Sequence, residues 1–219
     1  MMQPPYNLVP APWELTGNGV VWLYSIPKDF NLQHGFLADY QKEGYHGRLG
    51  AVMLMDYMTS DVGPYQELLY LPAIFKLGGK LTFSVSKIFV STQASALSGR
   101  ANWGIPKEVA DFSFLNFKEG TRTVEVSADS QTFFLAQVKP WGPKFPFTTK
   151  LFPWNRIVQK HQNQLLLTKP ETHGYARFAS TVKLNSDARF FPPIHLLKPL
   201  ATVRLSDFLM SFPVPEVIS

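Results

Sequence analysis

Short runs in which apolar and polar residues alternate recur along most of the chain. A period of two is typical of a β-strand with one face in the core, and it is clear in residues 112–117 and 121–127. The residues joining these two runs, 117–121, include Gly120 and are typical of a hairpin turn. Together with other runs rich in β-branched and aromatic residues, they predict strands at 19–24, 49–57, 67–71, 81–90, 111–117, 121–128, 132–139, 176–182 and 201–205.

Helical patterns are few. Asp29 is a candidate cap for a helix that runs to about Tyr40, residues 155–167 have a helical spacing of apolar side chains, and 206–211 could form one last turn. Prolines are dispersed through the chain, which argues against a helical bundle because proline breaks helix interiors. The predicted fold class is therefore α+β, mostly antiparallel β, either as an open α+β arrangement or as a barrel. The 219 residues fit a single domain, 1–219.

Composition narrows the class of protein. Charged residues make up 17% and aromatic residues 14%, so we expect an apolar cavity or a buried subunit interface. There is no cysteine, which excludes disulfides and thiolate chemistry. The start of the sequence does not resemble a secretory signal, and apolar stretches such as 51–55 are far shorter than the roughly 20 residues of a membrane-spanning helix. We expect a cytoplasmic protein.

The histidines and glycines do not form a familiar site. The five histidines have no metal-ligand spacing, and the sequence contains no nucleotide-binding glycine motif and no G-x-S-x-G nucleophile motif. We therefore expect neither a metal nor an organic cofactor.

One segment stands out. Residues 99–108, GRANWGIPKE, follow a small-residue linker at 91–98. Their ten positions contain arginine, tryptophan, proline and lysine together with two glycines. From the residues alone this is either a structural loop or a site loop, since rigidly held loops often carry function.

The segment resembles the active-site motif of the acetoacetate decarboxylase superfamily, G-R-E-x-x-G-x-P-K-K. The lysine that forms a Schiff base in that family matches Lys107, and the family motif G-x-Y-x-E matches residues 63–67, GPYQE. Residues 10–13 and 213–218 add weaker similarity, so the resemblance spans most of the chain. It implies a β-barrel or cone with a few peripheral helices, a homo-oligomer and a small-molecule carbonyl substrate.

The resemblance also assigns roles to residues. Lys107 is the expected nucleophile, Glu67 a proton shuttle or hydrogen-bond acceptor, and Tyr65 a phenolic partner. Arg100 either orients a substrate carboxylate or braces the loop, and Trp103 forms pocket wall or core. An ordinary lysine amine, with a pKa of about 10.4, is neutral in only about one molecule in a thousand at pH 7. Burial or a neighbouring cation lowers such a pKa, and the namesake enzyme of this family is the standard example of that tuning.

Three positions depart from the family pattern. The second lysine of the motif is replaced by Glu108, which would point away from Lys107 if the segment is extended. In an ungapped comparison the second glutamate of the family falls at Val52, and its N-terminal arginine falls near Asn18. These differences disfavour plain acetoacetate decarboxylation.

Three functions remain open. The first is a lyase-like Schiff-base enzyme that acts on a keto acid or other apolar carbonyl compound by aldol, dehydration, isomerisation or cyclisation chemistry. The second is a non-catalytic member of the fold that binds a lipophilic small molecule. The third, a nucleic-acid or membrane-surface binder, depends on the interleaved cations and aromatic rings of residues 139–160, whose charge equals the net charge of +5 of the whole sequence. We do not expect this third function, because the segment contains four prolines and no nucleic-acid-binding motif.

Overall fold

Strands dominate the computed structural model, which describes residues 7–116, 121–152 and 154–218. Within those residues the strands are β1 (Trp13–Ser25), β2 (Leu49–Thr59), β3 (Tyr65–Leu71), β4 (Ile74–Leu77), β5 (Lys80–Phe83), β6 (Lys87–Val90), β7 (Lys107–Val109), β8 (Asp111–Asn116), β9 (Arg122–Ala128), β10 (Gln131–Pro140), β11 (Phe145–Thr148), β12 (Ile157–His161), β13 (Gln164–Thr168), β14 (Glu171–Ser186), β15 (Ala201–Phe212) and β16 (Glu216–Ile218). The helices are α1 (Lys28–His34), α2 (Asp39–Glu43) and α3 (Gln93–Trp103), and 3₁₀ turns cover Thr149–Leu151 and Ile194–Leu196. The predicted fold class, mostly antiparallel β with a few helices, is confirmed.

The strands form two sheets. The larger has the order β7-β6-β3-β2-β1-β15-β14-β10-β9-β8, with β11 also paired to β14. The smaller has the order β16-β13-β12-β5-β4. Among the described residues, only the pairs β6–β7 and β5–β12 are parallel.

The larger sheet curls on itself into a nearly closed, barrel-like shape. Side chains from distant parts of its strand order, such as Trp22 of β1 and Val124 of β9, meet in one buried cluster. We call this cluster, which also holds Val52 and Phe134, the first core cluster. The curl follows from the need to bury this face of the sheet away from water.

Strands β1, β2 and β3 also bury their other face, because successive side chains of a strand point to opposite sides. On that side Trp13, Tyr57 and Tyr65 pack with Trp103 of α3 in what we call the second core cluster. A third cluster, around Phe75, lies in the smaller sheet. The two faces of one sheet therefore carry two separate apolar cores.

All nine predicted strand runs correspond to strands, although the run 81–90 is divided between β5 and β6. The predicted hairpin turn lies mostly outside the described residues, at 117–120, and the flanking strands β8 and β9 do pair antiparallel. The helix predicted from Asp29 to Tyr40 is instead two short helices, α1 and α2. Asp29 lies in the first turn of α1, and the N-cap is Pro27.

Two other helix predictions are wrong. Residues 155–167 form most of the β12–β13 hairpin, whose turn residues Gln162 and Asn163 have φ values of 47° and 66°. Left-handed residues at both centres of a two-residue turn match the twist of paired strands. Residues 206–211 continue β15, where they pair with β1.

The predicted linker at 91–98 is also wrong, because most of it is the first part of α3. Thr92 caps this helix, its hydroxyl accepting a hydrogen bond from the Ser95 backbone N–H at 3.3 Å. The helix ends at Gly104, whose left-handed φ of 65° turns the chain toward β7.

Candidate active site

Lys107 is the first residue of β7 and its side chain is buried. The segment after α3 is extended, so side chains alternate: Ile105 and Lys107 face inward while Pro106 and Glu108 face outward. Strand β7 pairs in parallel with β6, where Lys107 lies opposite Ile88. Only 4% of Lys107 is exposed.

Glu108 points away from the site, as the extended segment predicts. Its carboxylate is half exposed and lies 2.6 Å from the amine of Lys87, on the face of the sheet opposite to Lys107, where Glu108 pairs with Phe89. It therefore does not contact Lys107 and cannot act directly on its amine.

Glu67 lies opposite Lys107 and forms a buried ion pair with it. Its Oε2 is 2.9 Å from Lys107 Nζ, and both side chains are about 95% buried. Glu67 is in the middle of β3, where it pairs with Met55 of β2 and Val90 of β6. Lys107 and Glu67 therefore come from adjacent parts of one sheet, and the distance between their side chains is within the range of direct proton transfer.

Two hydroxyls complete the contacts of the amine. Lys107 Nζ donates to Ser95 Oγ at 3.1 Å and to the Tyr65 hydroxyl at 3.4 Å. The amine also lies 5.0 Å from the centre of the Tyr65 ring and 5.8 Å from that of Trp13. The sequence-predicted Lys107, Glu67 and Tyr65 are thus brought together.

A second tyrosine holds the carboxylate. The Tyr57 hydroxyl donates to Glu67 Oε1 at 3.4 Å. Burial and the charge of Glu67 raise the pKa of both Tyr57 and Tyr65 well above the usual value. Both phenols therefore keep their protons and act only as neutral hydrogen-bonding groups at physiological pH.

The pair opens onto a cavity of about 50 Å³. Of the fourteen described residues that line it, only Lys107 and Glu67 are charged, and most of the others are aliphatic or aromatic. The walls come from β1, β2, β3, β6, α3, β7, β12 and β15 and from the segments before β6 and β7. Apolar walls of this kind lower the local dielectric and strengthen the electrostatic interactions between buried groups.

Trp103 lines this cavity and Arg100 does not. The Trp103 indole N–H donates to the Pro213 carbonyl at 2.8 Å, and its ring packs edge-on against Trp13 and Phe212. Arg100 is exposed, and its Nε donates at 2.6 Å to the Lys107 carbonyl, which a second guanidinium nitrogen also contacts. Of the two roles expected for Arg100, the geometry favours bracing.

Val52 and Asn18 lie away from the amine. Val52 is on the opposite face of β2, in the first core cluster, while Met55 and Tyr57 occupy the face that Lys107 shares. Asn18 lines a different cavity, of about 30 Å³, together with Arg204. The ungapped comparison thus places the family's second glutamate on a face where it could not reach Lys107.

Sequence reasoning missed Ser95, Tyr57 and Trp13. Ser95 was hidden because its segment was predicted as a linker. Tyr57 could have been found, because it ends a predicted strand and a tight β2–β3 hairpin places it opposite Tyr65. Trp13 belongs to the weak N-terminal similarity and carried no chemical signal.

The basic aromatic segment at 139–160 does not form one surface. Phe145 and Phe147 pack against the second core cluster, while Trp141 stacks on Phe178. Lys144 and Lys150 lie within ion-pair distance of Asp207 and Glu171, at 3.5 and 3.0 Å. Part of the segment is therefore core and part forms local ion pairs, while Phe152 and Trp154 are exposed.

The described part of the chain has neither a metal-binding cluster nor a helix that could span a membrane. No group of three or more histidine, aspartate or glutamate side chains there is arranged to hold a metal ion. Nor does any helix among those residues have the length and apolar character needed to cross a membrane.

Comparison with known families gives one match. Residues 45–216 match the family model described as acetoacetate decarboxylase (ADC). Among curated proteins no match was found.

Solved structures with the same fold include several enzymes. An acetoacetate decarboxylase from Legionella pneumophila subsp. pneumophila str. Philadelphia 1 has a TM-score of 0.72 and 16% identity, covering 100% of this chain and 92% of that one. The enduracididine biosynthesis enzyme MppR, complexed with the condensation product of pyruvate and imidazole 4-carboxaldehyde, has a TM-score of 0.69 and 13% identity, covering 97% and 91%. An acetoacetate decarboxylase-like enzyme from Sphingomonas wittichii RW1 has a TM-score of 0.64 and 12% identity, covering 99% and 96%.

Proposed function

The chain belongs to the acetoacetate decarboxylase family, and on that premise we propose that it is an enzyme whose Lys107 forms a covalent imine with a carbonyl substrate. The observation that carries the proposal is the contact of 2.9 Å between Lys107 Nζ and Glu67 Oε2 at the wall of an apolar cavity. Lysine side chains are rarely buried, because burial penalises their charged form, so a buried lysine beside a cavity is a candidate for a chemical role.

Imine formation begins when the Lys107 ammonium passes a proton to Glu67. That transfer neutralises both buried groups at once and leaves an amine with a free electron pair. The amine then attacks the carbonyl carbon, so that a C–N bond forms while the carbonyl oxygen takes the proton from Glu67. A second proton moves from the nitrogen to that oxygen, which leaves as water as the C=N bond forms. The product is a protonated imine beside a carboxylate, and the overall charge of the site is unchanged.

The protonated imine accepts electrons from the adjacent carbon when that carbon loses a proton, and Glu67 is the base that removes the proton. Its carboxylate removes a proton from the carbon next to the imine carbon, which produces a nucleophilic enamine. Tyr57 holds Glu67 Oε1 and leaves Oε2 directed at the reacting group. The enamine then adds to a second carbonyl or is protonated at a new position.

Carbon–carbon bond formation, dehydration, isomerisation or cyclisation is favoured over loss of carbon dioxide. On the face of β2 that Lys107 shares, Met53 and Met55 offer no second carboxylate. MppR, whose fold this chain shares, has been solved with a condensation product of pyruvate and an aldehyde, which supports aldol-type chemistry here. A role as a carrier of a lipophilic molecule is less well supported, because it does not account for a buried ion pair at the cavity wall.

The test is reductive trapping. The protein is incubated with a panel of small aldehydes, ketones and keto acids, and borohydride reduces any imine to a stable amine that mass spectrometry locates. We expect one adduct, on Lys107, with water lost and two hydrogens gained. Lys107→Ala should abolish it, whereas Lys80→Ala, which removes an exposed lysine of β5, should not.

Either of two results would overturn the proposal. One is the absence of a Lys107 adduct across the whole panel. The other is labelling spread over exposed lysines and unchanged in Lys107→Ala, which would show ordinary amine chemistry.

A further inference from the structure

The cavity around Lys107 offers no counter-charge for an anionic substrate. Lys107 is the only cation among its lining residues, and Glu67 already neutralises it. After imine formation the nitrogen remains positive and Glu67 remains negative, so the site is still balanced. A substrate carboxylate would add an uncompensated negative charge in an enclosed apolar space, close to that of Glu67. Burial of an unpaired charge of this kind is strongly unfavourable.

The two indole N–H groups and the Tyr57 hydroxyl of the cavity wall are engaged as donors as well. The Trp13 indole N–H donates to the Pro10 carbonyl at 3.1 Å, and the Trp103 indole N–H donates to the Pro213 carbonyl. The Tyr57 hydroxyl donates to Glu67, and the Tyr65 hydroxyl accepts from Lys107. Hydrogen bonding is thus concentrated at the reacting centre, and the rest of a substrate meets hydrocarbon and ring faces.

The nearest cations outside the cavity are turned away from it. The exposed guanidinium of Arg100 donates to the Lys107 backbone carbonyl. Lys87 pairs with Glu108 on the face of the sheet opposite to the cavity. Neither lines the cavity. A carboxylate bound inside would therefore have no charged partner except the amine that must react.

The volume sets a size limit. A cavity of about 50 Å³ favours a compact substrate. Trp13, Trp103 and Phe212 pack edge-to-face along one side, which makes that wall difficult to displace.

We propose that the Lys107 site selects small, uncharged aldehydes and ketones and discriminates against keto acids. This inference rests on the proposed imine chemistry and specifies its substrate class. It separates the chain from relatives in its fold that are named for acetoacetate or were solved with pyruvate.

The experiment compares substrates that differ in charge but not in size. Pyruvamide and acetoacetamide have the same numbers of non-hydrogen atoms as pyruvate and acetoacetate, but carry no charge. Borohydride trapping at Lys107 is measured for each pair, and the same pairs react with N-acetyl-lysine to correct for intrinsic reactivity. We expect the protein to favour each amide over its acid by at least about tenfold more than the free amine does, because the acid brings an unpaired charge.

A variant tests whether the lack of a cation in the cavity causes the discrimination against keto acids. Met210 lines the cavity and is 9% exposed, so an arginine there could place its guanidinium at the cavity wall. Met210→Arg should move the preference toward pyruvate by about tenfold or more, whereas the neutral Met210→Gln should not.

The outcomes separate this inference from the proposed function. Trapping of pyruvate at Lys107 as efficiently as pyruvamide, after correction, would overturn the inference and leave imine formation standing. Absence of any Lys107 adduct would overturn both. An unchanged preference in a folded Met210→Arg protein would contradict the charge argument, and the unmodified protein still decides the matter if that variant does not fold.

Discussion

Lys107 and Glu108 are adjacent in sequence but lie in opposite environments. Lys107 is buried with Glu67, while Glu108 is half exposed and paired with Lys87. Where the family motif has a second lysine, this chain therefore has a residue that cannot touch the amine. Control of Lys107 is left to burial and to its direct neighbours Glu67, Ser95 and Tyr65.

Glu108→Lys tests this separation. Restoring the lysine of the family motif should change the rate of imine trapping at Lys107 by no more than about fivefold, because exposed ion pairs contribute only about 0–1 kcal/mol. The rate is measured by quenching with borohydride over time. Lys87→Ala, which breaks the same outer ion pair, is the matched control. A tenfold or larger change in Glu108→Lys alone would mean that the side chain reaches the site.

Glu67→Gln tests the proton shuttle. The amide keeps the shape of the side chain but cannot accept the proton of the ammonium, so we expect imine trapping to fall by about 10²–10⁴. The same change leaves Lys107 without its counter-charge, and breaking a buried pair costs about 3–5 kcal/mol of stability.

Trapping rate and thermal unfolding are therefore measured together for Glu67→Gln. Tyr57→Phe, which removes only the hydrogen bond to Glu67 Oε1, should retain most of the activity. A Glu67→Gln protein that traps carbonyls at the normal rate while folded would show that Glu67 has a structural role only.

Helix α3 packs closely against the Lys107 side chain and fixes its position. It consists largely of small residues on the side that faces β7, including Ser95 and Gly99. A Cβ added at Gly99 would lie 2.7 Å from Lys107 Cδ and 2.9 Å from Cε. Only glycine at this position allows the helix to approach so closely.

Gly99→Ala should therefore displace the amine. Alanine favours the helix by up to about 1 kcal/mol over glycine, so loss of folding is not the expected result. A displacement of about 1 Å at a reacting group can cost of the order of a hundredfold in rate, and we expect a loss of that order in trapping. Ala101→Ser, an exposed change on the same helix, should leave the rate unchanged. Normal trapping by Gly99→Ala would mean that Lys107 can relax without cost.

The elements differ in how well their sequences predict them. The strands of the larger sheet are predictable because each buries a face and so alternates. Helix α3 was missed because its small residues, such as Ala94 and Ser98, give no apolar stripe. The β12–β13 hairpin was taken for a helix because Val158, Leu166 and Leu167 suit either period in so short a run. Its turn at Gln162–Asn163 contains no glycine that would mark it.

The site was predicted unevenly for a similar reason. Lys107, Glu67 and Tyr65 belong to motifs and were found through resemblance. Ser95 reaches the site only through the approach of α3, which local spacing does not encode. Tyr57 reaches it through the register of β2 on β3, which the hairpin between two predicted strands made predictable. The outer position of Glu108 was predictable because alternation along an extended segment is a local property.

At the scale of the whole molecule, one sheet separates two apolar cores, and tyrosines are buried in both. Tyr24 and Tyr70 lie in the first core cluster, and Tyr57 and Tyr65 in the second. Burial raises the pKa of all four above the usual value of 10. Each is therefore held protonated by the fold itself.

Because of these raised pKa values, we expect the free energy of unfolding to fall steeply at alkaline pH. In the unfolded chain they lose protons near pH 10, whereas in the folded protein they keep them, so the unfolded state gains stability as the pH rises. Their contribution is fully present below pH 10 and is lost as the pH approaches their folded pKa values. Each contributes a slope of about 1.4 kcal/mol per pH unit, so four give roughly 5 kcal/mol per unit against a total stability of about 5–15 kcal/mol. Tyrosinate absorbance from the buried rings should therefore appear together with the loss of circular dichroism.

Tyr24→Phe provides the matched variant. The Tyr24 hydroxyl is buried and has no hydrogen-bond partner among the described residues, so its removal should leave stability at pH 7 equal or higher. The variant should also lower the alkaline slope, since one buried tyrosine fewer releases a proton on unfolding. Tyr70→Phe, which removes the hydrogen bond of 2.5 Å to Asn31 Oδ1, should lower the slope similarly but reduce stability at pH 7. A buried tyrosine absorbance that titrates before unfolding would show that the two cores admit hydroxide, contrary to the packing described here.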